Sequence, residues 1–357
     1  MSGIKKVMIA AGGTGGHVVP ALSVAQELQR RGFNVVWLGT QAGIEARLVP
    51  ESGIEMEWLA VSGLRGKGWQ AWLLAPFKLL RACWQAGRAV IRHKPTVLLG
   101  MGGFVAGPGG LMAKILGKKL VIHEQNAVVG TTNRLLARVA DVVLAAMPSA
   151  FVEQQGARCV GNPVREDLSL IDDPSVRLNR GDNEFRVLVV GGSQGAGVFN
   201  EVVPAAAQEV GNIQLWHQTG RAGVEQTQAA YDSAGVEARV VPFIDDMAEA
   251  YSWADLVVSR AGAMSVSELA ASGCASVLVP YPYAIDDHQT ANCALMVREG
   301  AAVLVPQPRF DAQLLTKILM DLRDDRPRLV TMAKAARGLA KPNATREVAE
   351  IILENTQ

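Results

Sequence analysis

Apolar residues along this chain come in short unbroken runs, each followed by glycine and then by a segment with helical spacing. IKKVMIAA at 4–11 reads as a buried strand, GGTGG at 12–16 as a turn, and residues 19–31 as a helix closing near Gly32. NVVWLG at 34–39 is the next strand. The rhythm continues with TVLLGMGG at 96–103, a helix through LMAKILG at 111–117, KLVIHEQN at 119–126 and DVVLAA at 141–146. Strand, loop, helix, strand in this order predicts a parallel sheet with helices on both faces.

The second half repeats the first. FRVLVVGGSQGAGVFNEVVPAAA at 185–207 mirrors VMIAAGGTGGHVVPALSVA almost position for position. Strands follow at IQLWHQ, ARVVPF, DLVVSR, ASVLVPY and AAVLVP, so the pattern predicts an α/β chain of two Rossmann-like domains in tandem. GARCVGNPVRED is loop-like and a polar tract spans 172–184, which places the boundary near Gly161–Pro163. The expected domains are 1–163 and 164–340. The amphipathic stretch ATREVAEIILEN within 341–357 is expected to dock as a helix. Open α/β sheets bind ligands at the carboxyl ends of their strands, so the predicted site is a central cleft that the two parallel sheets face.

Length and composition narrow the class. A chain of 357 residues with 49% hydrophobic content suits two real cores. A net charge of +1 argues against a dedicated nucleic-acid binder. Cys83, Cys159, Cys274 and Cys293 are scattered without any CxxC, so neither a zinc site nor a disulfide framework is expected, and reduced thiols fit a cytoplasmic setting. The apolar run behind Lys5 and Lys6 is too short for a signal peptide, and no run approaches the ~18 apolar residues of a membrane span.

The distribution of charge is more informative than its sum. Between Glu57 and Glu124 there is no acid, while Lys78, Arg81, Arg88, Arg92 and further cations fall there with Trp69, Trp72 and Trp84. Trp69, Leu73, Phe77, Leu80 and Trp84 share a helical spacing that Pro76 can kink or divide. A core-facing helix is the ordinary reading of such a stripe. The missing acids and the tryptophans favour an interfacial surface on anionic lipid instead.

Three glycine turns carry the candidate chemistry: Gly12–Gly16, Gly102–Gly107 and Gly191–Gly195. Each follows a strand and opens a helix, where free N–H groups and the dipole favour an anion such as a diphosphate. A tight β–α turn explains any one of them equally well. None matches GxGxxG in register, which disfavours a nicotinamide enzyme, and three together point to two phosphorylated ligands. His17 sits at the first of these turns. The positive end of a helix dipole favours a neutral imidazole there, able to act as general base toward a hydroxyl, or simply to bond a neighbouring turn. Ser265 and Glu268 form S-x-x-E, a capping box that would fully account for Glu268, or Glu268 accepts hydrogen bonds from a ribose diol. Asp286, Asp287, His288, Gln289 and Asn292 suit sugar hydroxyls or a solvated loop, and no DxD at a strand edge indicates a metal.

Nine motifs in order, GGTGGHVVPALSVA, SGLRGKG, MGGFVAGPGG, HEQNAVVG, GNPVR, GGSQGA, FIDDM, RAGAMSVSE and HQTAN, carry an end-to-end resemblance to the MurG family of bacterial glycosyltransferases. The resemblance implies a GT-B fold whose last helix crosses back to the first domain. It implies inverting transfer of GlcNAc from UDP-GlcNAc to the MurNAc 4-hydroxyl of undecaprenyl-diphosphate-linked MurNAc-pentapeptide, in peptidoglycan synthesis. The second domain would hold the donor, with Ser193 near the diphosphate, the Ile244 backbone near uracil and Glu268 on the ribose. Ala263, Met264, Ser265, Val266, Ser267 and Glu268 would line the nucleotide, Gln289 and Asn292 would meet the sugar, and Arg165 would lie on the donor side. In the first domain Thr14, Gly15, Gly16 and Asn126 would border donor and acceptor, with Gly13, Gly102, Gly103 and Phe104 toward the acceptor diphosphate and His17 as catalytic base. Phe104 stands where relatives can carry Tyr. Trp69, Trp72, Phe77, Lys78, Leu80, Arg81 and Trp84 would meet the membrane. No cofactor or metal is required by this reading. The implied location is peripheral, on the cytoplasmic face of the inner membrane, near cell-wall synthesis and division proteins. A UDP-GlcNAc 2-epimerase would need no acid-free, tryptophan-rich segment, and a nucleotide-sugar sensor would have no use for His17.

Overall fold

The computed structural model describes residues 5–61, 69–148, 156–181, 184–192 and 195–356. The chain divides into two compact units, Met1–Val164 with Asn343–Gln357, and Arg165–Pro342.

In the first unit the elements run β1 (Lys6–Ala10), α1 (Gly15–Arg30), β2 (Asn34–Gly39), α2 (Glu45–Glu51), β3 (Glu55–Trp58), α3 (Trp69–His93), β4 (Val97–Gly100), α4 (Ala106–Ile115), β5 (Lys119–Glu124), α5 (Thr131–Leu136), β6 (Val142–Ala145) and β7 (Arg158–Cys159). The strands form a seven-stranded sheet in the order β3-β2-β1-β4-β5-β6-β7, parallel throughout. Winding reverses between β1 and β4, and the loops after those strands diverge to opposite faces there.

The second unit runs β8 (Phe185–Val190), α6 (Gly197–Val210), β9 (Ile213–Gln218), α7 (Val224–Ala234), β10 (Ala238–Val241), α8 (Met247–Trp253), β11 (Leu256–Ser259), α9 (Ala263–Ser272), β12 (Ala275–Leu278), α10 (His288–Arg298), β13 (Ala302–Leu304), α11 (Ala312–Asp324) and α12 (Arg326–Gly338). Its six strands are parallel in the order β10-β9-β8-β11-β12-β13, so the reversal lies between β8 and β11.

Side chains alternate across a strand, so continuous apolar runs feed two cores at once. On one face of the first sheet Val7, Ile9, Val35, Trp37, Val97 and Leu99 pack with α1 and with α13 (Ala344–Glu354). On the other face Met8, Ala10, Val36, Leu38, Leu98 and Ile122 pack under α3 and α4. The second unit buries Val187, Val189, Val258 and Val277 against Phe199 of α6 and the leucines of α11.

Several elements differ from the sequence reading. α1 starts at Gly15 and α4 at Ala106, each earlier than expected, because glycines and a proline occupy their first turns. Those glycines are packing residues as well as turn formers. A Cβ on Gly109 would come within 3.0 Å of Leu38 Cδ1 and 3.2 Å of Ala10 Cβ. The helix across Pro76 is continuous from Trp69 to His93.

α13 contributes Val348, Ala349 and Ile352 to the first core, each 0% exposed. Ile352→Ala should therefore cost about 2–5 kcal/mol by cavity formation. Glu350→Ala, which removes a half-exposed partner 3.6 Å from Arg31, should cost under about 1 kcal/mol. Denaturant unfolding of the two variants side by side checks both values.

Candidate functional site

In the first unit the candidate residues collect at the carboxyl ends of β1, β4 and β5. The chain leaves β1 through buried Ala11 and Gly12 and turns at Gly13, whose φ of 97° is left-handed and suits glycine. Thr14 is the N-cap of α1 but makes no side-chain cap bond. The buried Glu45 carboxylate holds this turn from beneath. It accepts from the Gly13 N–H at 3.0 Å, from the Thr40 N–H at 2.9 Å and from the Thr40 hydroxyl at 2.8 Å. The Gly13 N–H is thus committed, and an anion at this helix start would meet the N–H groups of Thr14 to Gly16, which a helix leaves without intrahelical partners.

The β4 turn interlocks with it. Gly102 and Gly103 have φ of 92° and 77°, and a Cβ on Gly103 would lie 2.2 Å from Gly12 O. The His17 ring lies on Gly102, where a Cβ would stand 2.7 Å from His17 Nδ1. Phe104 projects into solvent.

At the end of β5, His123, Glu124 and Gln125 are buried. The Glu124 carboxylate is saturated by the structure. It takes the Asn126 N–H at 3.0 Å, the Gly130 N–H at 3.1 Å and the Asn133 amide at 2.9 Å, and it also holds the Asn126 side chain at 3.2 Å. His17, partly buried, points Nδ1 at Gln125 Oε1, 3.0 Å away. Burial holds the His123 imidazole down to about 4, against the opposing pull of the Gly161 carbonyl and Glu124. His123 and Gln125 were missed as site residues by sequence reasoning. Their only signal is the HEQN motif, in which Asn126 alone drew attention.

In the second unit the β8 turn contains Gly191, Gly192 and Gly195. A Cβ on Gly195 would lie 2.1 Å from Thr219 O, and one on Gly191 2.5 Å from Ala196 N. Gln218 donates to Gly192 O at 3.0 Å. Ser193, expected near a diphosphate, lies outside the described residues. At the end of β11 the Arg260 guanidinium stacks over Phe199 and Tyr281 and donates to Val279 O at 3.1 Å.

The capping-box reading of Ser265 and Glu268 fails. α9 begins at Ala263 with Gly262 as N-cap, three residues before the expected N-cap Ser265, so Ser265 is inside the first turn and Glu268 in the second. Glu268 instead accepts from the hydroxyl of buried Tyr251 at 3.2 Å. Burial pushes the Glu268 carboxyl up, while the neighbouring Arg165 guanidinium and the Tyr251 hydroxyl pull it down. Arg165 reaches Asp245 O at 3.5 Å, and its Nε is buried without a hydrogen-bond partner among the described residues. Ile244 and Val266 are buried, and Met264, Ser265, Ser267 and Gln289 are partly so. Ser267 bonds back to Ala263 O at 2.9 Å, and Gln289 Oε1 accepts from the Tyr281 N–H at 2.8 Å. Asn292 is wholly buried and donates to Ala261 O at 3.3 Å. Its amide braces the β11–α9 turn.

The basic helix has an inverted distribution of size. Ala82, Ala86, Gly87, Ala89 and Val90 face the core, and a Cβ on Gly87 would lie 2.9 Å from Met112 Cε of α4. Leu74, Phe77, Leu79, Leu80, Trp84 and Ile91 are exposed, Phe77 to 68% and Trp84 to 64%, with Lys78, Arg81 and Arg88 among them. Leu111 and Ile115 of α4 add to the exposed apolar surface. The side chains of Trp69 and Trp72 lie outside the described residues. Among the described residues no helix is long and apolar enough to cross a membrane, and no three His, Cys, Asp or Glu side chains group as metal ligands would.

Two glycine turns at the reversal points of two parallel sheets, with an imidazole at one and a carboxylate at the other, agree with comparisons to known proteins. The glycosyltransferase family 28 N-terminal domain matches residues 7–145 and the family's C-terminal domain matches residues 186–350. The chain belongs to glycosyltransferase family 28. It is 52% identical over 353 residues to a protein of Marinobacter nauticus named UDP-N-acetylglucosamine–N-acetylmuramyl-(pentapeptide) pyrophosphoryl-undecaprenol N-acetylglucosamine transferase, covering 98% of this chain and 97% of that one. A protein of the same name from Ectopseudomonas mendocina is 51% identical, covering 98% of each chain. The crystal structure of MurG from Acinetobacter baumannii superposes with a TM-score of 0.86 at 41% identity, covering 98% of this chain and 99% of that one. A UDP-N-acetylglucosamine 2-epimerase structure superposes with a TM-score of 0.68 at 14% identity, covering 98% and 96%, a likeness of fold alone.

Two buried imidazoles give the molecule a defined acid sensitivity. Burial holds His123 to about 4 and His217, in the core of the second unit, to about 3, both below the ordinary 6.5. Between 6.5 and those values the unfolded chain binds protons that the native chain does not, so stability falls as pH drops through that window. For His123 the gap is worth roughly 3 kcal/mol. Thermal unfolding followed from pH 7 to 4 should show the decline, and His217→Asn should make it shallower whatever it does to stability at pH 7.

Proposed function

We propose that this chain transfers GlcNAc from UDP-GlcNAc to the MurNAc 4-hydroxyl of undecaprenyl-diphosphate-linked MurNAc-pentapeptide, with inversion at the anomeric carbon. The observation that carries the reading is the identity of about half of all residues, end to end, with relatives that bear this activity in their names. In this reading the acceptor oxygen forms a bond to the anomeric carbon as the bond from that carbon to the UDP oxygen breaks. The hydroxyl proton passes to His17, the catalytic residue. Negative charge gathers on the departing diphosphate, which the β8 glycine turn and the N-terminus of α6 stabilise.

The second unit is the donor unit. Glu268 accepts the ribose hydroxyls, and its bond to Tyr251 keeps it oriented. Arg165 brings an unspent Nε donor. Ala263 to Ser267 wall the nucleotide, the Ile244 backbone meets uracil, and Gln289 meets the sugar. The first unit takes the acceptor, with Thr14 to Gly16 and Gly102 to Phe104 along its diphosphate and Asn126 beside them. Since Phe104 has no hydroxyl, its part is limited to its backbone and ring.

The exposed face of α3 and α4 docks on an anionic lipid surface, the cytoplasmic face of the cell membrane. Bulky apolar side chains pointing outward, lysine and arginine among them and acids absent from the whole interval support this.

Transfer of labelled GlcNAc to a short-chain lipid-linked MurNAc-pentapeptide tests the reaction, and wild-type protein that binds UDP-GlcNAc yet transfers nothing overturns it. His17→Ala should lower kcat by about 10²- to 10⁴-fold with the KM for UDP-GlcNAc little changed. Glu268→Ala should act mainly on donor binding, weakening it about 10- to 100-fold as charge-assisted hydrogen bonds are lost. Phe77→Glu with Trp84→Glu should release the protein from anionic liposomes in flotation and leave transfer to the soluble acceptor intact. Retention by those liposomes in the double variant would sink the docking face.

A further inference from the structure

A neutral imidazole carries one proton, and only its other nitrogen can accept another. A base at position 17 therefore works only if the nitrogen facing the acceptor is the bare one. Two backbone carbonyls settle which one that is. His123 Nε2 lies 2.9 Å from Gly161 O. A carbonyl only accepts, so Nε2 carries the proton and Nδ1 of this buried neutral ring is left as an acceptor. One terminus of the Gln125 amide lies 3.2 Å from that Nδ1 and 3.3 Å from the carbonyl oxygen of His123. Both are acceptors, so this terminus is the NH₂ group, and the opposite orientation would press two carbonyl oxygens together. Gln125 Oε1 then faces His17 Nδ1 at 3.0 Å and can only accept from it. The proton of His17 sits on Nδ1 and its Nε2 is bare.

The supports of this chain are themselves tied down. Asn162 donates to the backbone carbonyl of Gln125 at 3.1 Å, and Asn133 donates to that of His123 at 3.1 Å. Gln125 is 1% exposed and His123 0% exposed, so water does not compete for their bonds. Gly161 has a φ of 88°, a conformation in which few other residues would present this carbonyl.

We propose that Gln125 and His123 are positioning residues that lock His17 in the tautomer with a bare Nε2, the nitrogen that takes the proton of the acceptor hydroxyl. The proposal rests on His17 being the base. Donation runs from His17 Nδ1 to Gln125 Oε1, from the Gln125 amide to His123 Nδ1 and from His123 Nε2 to Gly161 O, and each member has one role open to it.

Nitrogen-15 NMR of histidine-labelled full-length protein at neutral pH reads the tautomer directly, with the His17 signals assigned as those lost in His17→Gln. The expected wild-type spectrum has a protonated Nδ1 and an unprotonated Nε2 at His17, and the reverse at His123. Gln125→Leu removes the acceptor for Nδ1. In that variant the His17 proton should move to Nε2, and kcat should fall about 10- to 100-fold, within the full contribution of a general base, while the KM for UDP-GlcNAc stays put. A wild-type His17 protonated on Nε2 overturns the proposal, and this measurement needs no variant to fold. A tautomer that moves without loss of turnover also overturns it, as does turnover lost with the tautomer unmoved, which marks Gln125 as merely structural. Near wild-type turnover in His17→Ala would instead remove the base itself, and that result is read from His17 alone.

Discussion

Backbone meets backbone at the carboxyl edge of each sheet at distances that exclude any side chain. The turn after β4 lies against the turn after β1 so closely that a Cβ on Gly103 would fall 2.2 Å from Gly12 O, and in the second unit Gly195 stands in the same relation to Thr219 O. The first contact occurs where parallel winding reverses, between β1 and β4, and the second joins the neighbouring loops after β8 and β9. The His17 ring rests on Gly102 because nothing but hydrogen occupies that side of the Gly102 Cα, and α6 departs from β8 at its angle because Gly191 admits the Ala196 N–H.

Loops held this tightly leave backbone groups to satisfy, and side chains of both units satisfy them. In the first, buried carboxylates gather the spare donors: Glu45 takes the N–H groups of Gly13 and Thr40, and Glu124 those of Asn126 and Gly130. In the second, side-chain donors gather the spare carbonyls: Gln218 takes Gly192 O, Arg260 takes Val279 O and Asn292 takes Ala261 O. The buried Glu45 carboxylate thus underlies the first glycine turn.

Strands and their parallel order were legible because continuous apolar runs have one good explanation, burial on both faces. Helix starts were less so. Gly15, Gly16 and the glycines of 106–110 look like loop residues in one dimension and prove to be the positions where helix closes on sheet. The short edge strand β3 was invisible because EMEW is half exposed and carries two acids. Ser265 and Glu268 have the spacing of a capping box, but spacing cannot say where the helix begins, and Gly262 begins it. The motifs placed attention on the right loops, and the glycine turns do lie at strand ends. What no linear pattern disclosed is the partner of each polar group. His17 and Gln125 are 108 positions apart, and Gly161 is a further loop away from His123. A hydrogen-bond chain of that kind exists only after five strands, β1, β4, β5, β6 and β7, have paired in register.

The basic helix shows why hydrophobic periodicity alone could not decide its use. The same sequence stripe is consistent with a buried or an exposed face, since period counts residues and not neighbours. The deciding quantity is side-chain size. α3 approaches α4 closely enough that Gly87 touches Met112, so the face toward the protein admits only Ala82, Ala86, Gly87 and Ala89 with Val90. Phe77, Leu80 and Trp84 have no room inside and stand in solvent, where bulky apolar groups are unfavourable unless something apolar covers them. Arg88 lies over the Trp84 ring at 5.8 Å, and Lys78 and Arg81 flank the same stripe. A surface of aromatic rings edged by long cationic side chains has an apolar body and a charged rim. That combination matches the acyl and headgroup layers of an anionic bilayer better than the uniformly polar surface of a free helix.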